Sequence, residues 1–249
     1  MTLHRVEFDG PDAPPLFLVH GLFGSARNWR AIAKKMAQKR PVVTLDLRNH
    51  ANSPWFDSHT YADLAEDLAA EVPQGADVLG HSMGGKAAMV LALRHPNRLR
   101  KLIVADIAPV AYTHSQMPMI EAMRGINLDL IEHRKDAQDQ MAELVDDPAV
   151  ASFLLQSLDV ADKSWRLNLD VLARFMPDIV GFPEVDGVFE GPTFFLSGKE
   201  SDYVLSDHRA KIRRLFPNSV FALIPGAGHW LHAEKPREFI LAAETFLDA

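Results

Sequence analysis

One serine stands between two glycines in Gly80-His81-Ser82-Met83-Gly84, a G-x-S-x-G spacing. A serine hydroxyl attacks a carbonyl only when a base takes its proton and donors wait for the oxyanion that forms. The spacing also answers a steric problem. Where a strand turns at once into a helix, the apex backbone is strained. A Cβ two residues before or after it would collide with the turn, and glycine removes both collisions. The hydroxyl then stands at a helix N-terminus, where free backbone N–H groups favour negative charge, and the Met83 N–H becomes one oxyanion donor.

The base must come from eleven histidines. His59, His95, His133 and His208 lie in polar stretches and read as surface residues, while His81 reads as support for the turn. His229 differs. It follows the apolar run VFALI and a Gly-Ala-Gly turn, and it comes last in the chain order serine, acid, histidine. His232 competes three residues on, and His229 is the better placed. Two aspartates compete to orient the imidazole: Asp106, which ends LIVAD, and Asp202, in the looser SGKESDYV. In HGLFGS, His20–Ser25, the glycines let backbone approach the serine. The Leu22 N–H is the candidate second oxyanion donor, with Phe23 next. Neither G-x-G-x-x-G nor G-x-x-x-x-G-K-[ST] is present to cradle a phosphate.

These residues need a frame. Pro14–Gly21, Pro41–Leu47, Ala76–Ser82, Leu99–Pro109, Pro192–Gly198 and Ser219–Trp230 each carry a short continuous apolar run. Continuous runs mean strands covered on both faces, as in a parallel sheet flanked by helices. Helical patterns alternate with them at Ser25–Lys39, Tyr61–Val72, Gly84–Pro96, before Phe216 and from Pro236. The expected fold is α/β, a mostly parallel doubly wound sheet. Such sheets place sites at the carboxyl ends of their strands, where His20-Gly21, Ser82, Asp106 and His229 all fall. From Ala111 to about Gly181 the rhythm breaks into helical patterns carrying Met117, Met119, Met123, Met141 and Met176, with no convincing strand. This predicts a core of residues 1–110 and 182–249 and a helical insertion of residues 111–181.

The bulk numbers fit one large domain with an insertion: 249 residues, 47% apolar and 24% charged. A net charge of −7 argues against nucleic acid, and the local cluster Arg98, Arg100 and Lys101 reads as a solvated strand edge. With no cysteine, disulfides, thiolate catalysis and cysteine-held metals are excluded. The start MTLHRVEFDG alternates like a strand, and no apolar run approaches membrane-spanning length. A cytoplasmic protein with no membrane insertion is the expectation.

The stretches LVHGLFGSARNW, LDLRNHANSP, GHSMGGKAAM, DIAPV and GAGHWLHAEKP together resemble the α/β-hydrolase superfamily over nearly the whole chain. The RNH of Arg48–His50, where most of the superfamily reads R-G-H, and WRLNLDVL of Trp165–Leu172 resemble the YbfF-like bacterial esterase branch and its mitochondrial lipase-like relatives. The resemblance implies the α/β-hydrolase fold, with the insertion as a helical cap after the sixth strand. It implies Ser82 as nucleophile, His229 as general base, and Leu22 and Met83 as oxyanion donors, with no metal and no cofactor. The superfamily's commonest acid position falls on Ser201, a departure; the branch instead implies Asp106. The expected function is hydrolysis of small-molecule carboxylic esters of short to medium acyl chain through an acyl-enzyme. A cofactor-free perhydrolase or haloperoxidase, or a C–C bond hydrolase, shares the same triad and is the alternative. A non-catalytic binder is a third reading, against which the full set of groups speaks.

Overall fold

The computed structural model describes residues 2–249. The strands are β1 Arg5–Phe8, β2 Leu16–Val19, β3 Val42–Leu45, β4 Ala76–His81, β5 Leu99–Ala105, β6 Leu158–Asp159, β7 Ser164–Trp165, β8 Thr193–Gly198 and β9 Ser219–Ile224. A seven-stranded sheet runs in the order β1-β3-β2-β4-β5-β8-β9. Only β1 is antiparallel to its neighbour; the other pairings are parallel.

The continuous apolar runs have the expected cause. Successive side chains point to opposite faces, so Val78, Leu102 and Val104 enter one buried cluster while Leu79, Ile103 and Ala105 enter the other. Helices Tyr61–Glu71 and Met83–Arg94 cover the first face. Helices Arg30–Met36 and Pro236–Asp248 cover the second. The basic cluster is tied inward. Arg100 pairs with Asp77, and the Lys101 ammonium donates to the Phe246 and Leu247 carbonyls.

Two expectations change. The helical insertion leaves the sheet after its fifth strand in chain order, not its sixth, because a single strand, β1, precedes β2. The insertion also holds the short antiparallel pair β6–β7 between its helices Pro148–Leu155 and Leu169–Arg174. Two residues per strand is too short for any period-2 pattern to show. The methionines mostly fill the insertion's own core. Met123, Met141 and Met176 are buried there, and only Met119 of the five lines the main cavity. No helix among the described residues is long and apolar enough to cross a membrane.

Candidate active site

β4 ends at His81 and the helix Met83–Arg94 starts one residue later, leaving Ser82 at the apex with φ 52° and ψ −121°. The two flanking glycines are obligatory for steric reasons. A Cβ on Gly80 would lie 2.3 Å from the Gly84 carbonyl oxygen, and one on Gly84 would lie 2.3 Å from that of His20. The Ser82 N–H donates to Ala105 at the end of β5 (3.0 Å), which fixes the apex to the neighbouring strand.

The loop after β9 brings His229 to this apex. Its Nε2 lies 3.1 Å from Ser82 Oγ, and its Nδ1 lies 2.7 Å from Asp106 Oδ2. Asp106 is fully buried. Its Oδ1 accepts the Gly198 N–H, and its Oδ2 also accepts the Ser201 hydroxyl. Thus Ser201, at the superfamily's usual acid position, serves the carboxylate as a donor. Asp202 is exposed and is no partner of His229. Among the described hydrogen bonds, neither the Met83 nor the Leu22 N–H has an intramolecular acceptor. The Phe23 N–H is occupied by His50 Nε2 at 3.2 Å, which removes it as the alternative donor.

Several groups that hold these residues were missed in the sequence. Glu234 accepts the backbone N–H groups on both sides of His229, from Gly228 at 2.7 Å and from Trp230 at 3.2 Å. The His81 ring nitrogen donates to the His229 carbonyl at 2.9 Å, so His81 does support the site. The only available signal for Glu234 was an acid in the turn after a histidine, which alone says little. His50, the last residue of RNH, donates from Nδ1 to the Arg48 carbonyl and so points Nε2 at the Phe23 N–H in the loop after β2. His59 is a correction. It is 1% exposed and sits against the Met83 sulfur, because its polar segment folds under the loop instead of facing water. Lys86, one helical turn past Ser82, is also buried. Its ammonium donates to the carbonyls of Val180 and Gly181, where the insertion returns. Burial and the nearby Lys211 pull the Lys86 amine down to about 7.

Five histidines around the site are kept neutral. Burial lowers His20 against the pull of Asp46 and holds His50 and His81 well below the ordinary value. Burial also brings His59 and His232 down to about 3. In the unfolded chain each titrates near 6.5, so below that pH the unfolded state binds more protons and stability falls. Each such group costs about 1.4 kcal/mol per pH unit until its folded value is reached. Thermal melts should therefore show a midpoint several degrees lower at pH 5.5 than at pH 7.5. Equal midpoints would contradict this neutral histidine layer.

Above Ser82 a cavity of about 990 Å³ opens between the sheet edge and the insertion. Tyr61, Met83, Met119, Ile179, Phe153 and Trp230 give it largely apolar walls. Residues 16–243 match the model of the alpha/beta hydrolase family, and the chain belongs to that family. Within it, the chain is 42% identical over 255 residues to the sn-1-specific diacylglycerol lipase ABHD11 of Danio rerio, covering 96% of this chain and 80% of that one. It is 35% identical over 239 residues to the esterase YbfF of Escherichia coli, covering 94% and 93%. A solved structure described as a marine microorganism esterase superposes with a TM-score of 0.93 at 34% identity, over 98% of this chain and 99% of that one.

Proposed function

We propose that this chain is a serine hydrolase of carboxylic esters with short to medium acyl chains, working through an acyl-enzyme on Ser82. The observation that carries the reading is the unbroken line from Ser82 Oγ through the His229 ring to the buried Asp106 carboxylate, on the cavity floor. The named activities of the relatives, esterase and lipase, support it.

In this reading His229 Nε2 takes the hydroxyl proton as Ser82 attacks the ester carbonyl. Asp106, anchored by Gly198 and Ser201, holds the proton on Nδ1 and faces the imidazolium that forms. The free N–H groups of Met83 and Leu22 receive the oxyanion. The protonated His229 then returns its proton to the leaving alcohol. Water, deprotonated by the same ring, cleaves the acyl-enzyme. The helices of residues 111–181 act as a cap, and Met119 and Ile179 line the acyl space with flexible apolar groups.

The test is a series of p-nitrophenyl esters from acetyl to decanoyl, run beside an assay for peracid formation from acetate and peroxide. Ester turnover that peaks at short to medium chains, without comparable peracid synthesis, is expected. Peracid formation that exceeds ester hydrolysis would favour the perhydrolase alternative.

A further inference from the structure

The His229 ring has in-plane partners at both nitrogens, and these leave its tilt about the line joining them free. Two aromatic rings pack against the imidazole. The Tyr203 ring stacks on it with centroids 3.9 Å apart and planes 19° apart, while His81 meets it at 4.8 Å and 43°. Tyr203 is itself held at several points. Its N–H donates to Ser201 Oγ at 3.3 Å, and its carbonyl accepts the Tyr112 hydroxyl at 2.7 Å. Its own hydroxyl meets His114 Nε2 at 2.8 Å. Tyr112 in turn donates its N–H to Val180, the residue whose carbonyl also accepts the Lys86 ammonium. The tyrosine is thus braced within its own loop by Ser201, the donor to Asp106, and from the start of the insertion by Tyr112.

We propose that Tyr203 is a positioning residue for His229: its ring, braced by Tyr112 and Ser201, sets the imidazole plane in line with Ser82 and Asp106. A stacked aromatic face also attracts the cation that the ring becomes when it carries the serine proton. The ring does this work, and the hydroxyl does not. The proposal rests on the hydrolase reading above for its kinetic consequence, but the ring geometry can be read in the resting protein.

The test compares Tyr203→Leu and Tyr203→Phe on p-nitrophenyl butyrate, with thermal midpoints measured alongside. Loss of alignment at the proton-transfer group should lower kcat of the leucine variant about tenfold or more with KM within about twofold, while phenylalanine keeps kcat near wild type. In the resting protein, the low-field proton resonance of the His229–Asp106 bridge should be sharp in wild type and Tyr203→Phe and broadened in Tyr203→Leu. An unchanged kcat, a loss confined to KM, or a resonance equally sharp in all three would overturn the proposal, the KM result by making Tyr203 a substrate wall. Tyr112→Phe is the second variant. It removes the hydroxyl that donates to the Tyr203 carbonyl and accepts the Ala108 N–H. A kcat fall at constant KM that is absent when the same change is made in a Tyr203→Leu background therefore supports the brace, and an unchanged kcat, or an equal fall in both backgrounds, overturns it. If Tyr203→Leu fails to fold, the bridge resonance of Tyr112→Phe replaces that comparison: broadening with the kcat fall supports the brace, and a sharp resonance overturns it. If wild type hydrolyses no ester at all, the hydrolase reading fails, and the resonance comparison still judges the role of Tyr203.

Discussion

Asp106→Asn lowers turnover of a p-nitrophenyl ester by about 10⁴-fold, whereas Asp202→Asn leaves it within a few-fold of wild type. The amide keeps the shape of the carboxylate but presents a donor toward Nδ1, which favours the wrong tautomer of His229 and removes the charge that faces the imidazolium. The surroundings sharpen the effect. Asp106 is fully buried and accepts from Gly198 and Ser201 as well as from His229. An amide there can accept through one oxygen only, so a donor is stranded in a buried site. Asp202 faces water and is no partner of His229. Steady-state kcat for both variants, measured near neutral pH, gives the comparison. Equal losses, or the larger loss at Asp202, would move the acid to the loop after β8.

His229→Ala is expected to remove nearly all turnover, about 10⁴- to 10⁶-fold, leaving what binding and the oxyanion donors supply. His232→Ala should stay within about tenfold of wild type in kcat and lose stability instead, about 2 kcal/mol or more from the cavity it opens. The difference follows from their contacts. His229 bonds Ser82 and Asp106, while the half-buried His232 stacks on Trp29 at 4.6 Å and packs against His81 at 4.5 Å. Kinetics paired with thermal or urea unfolding separates the two effects, and similar kcat losses would contradict the assignment.

Much of the frame was legible in the sequence because the residues at issue answer to local rules. The apolar runs of β2, β4, β5 and β8 announce a sheet covered on both faces, and the glycines around Ser82 announce the strained turn. Asp106 and His229 could be placed on one rim because both follow such runs. Choosing between Asp106 and Asp202 is harder, since both follow strands and only their burial and their contacts with His229 separate them. The supporting groups lay beyond local rules altogether. His59 sits in a polar segment that packs inward through contacts with Met83, Asn49 and the His50 ring. Tyr203 acquires meaning only where the loop after β8 meets the loop after β9. Glu234 counts because its helix turns back on the histidine that precedes it. The pair β6–β7 is invisible for the same reason, since two residues carry no period.

Covalent chemistry at one hydroxyl, that of Ser82, underlies every step of the proposed reaction. Mass spectrometry of peptides from enzyme quenched during turnover of a p-nitrophenyl ester, or after reaction with a fluorophosphonate, reads it directly. The predicted result is a single added acyl or phosphonyl mass on the peptide carrying Ser82, absent from Ser82→Ala and from a heat-unfolded control. No adduct on the folded wild-type protein, or an adduct that persists in Ser82→Ala, would contradict it.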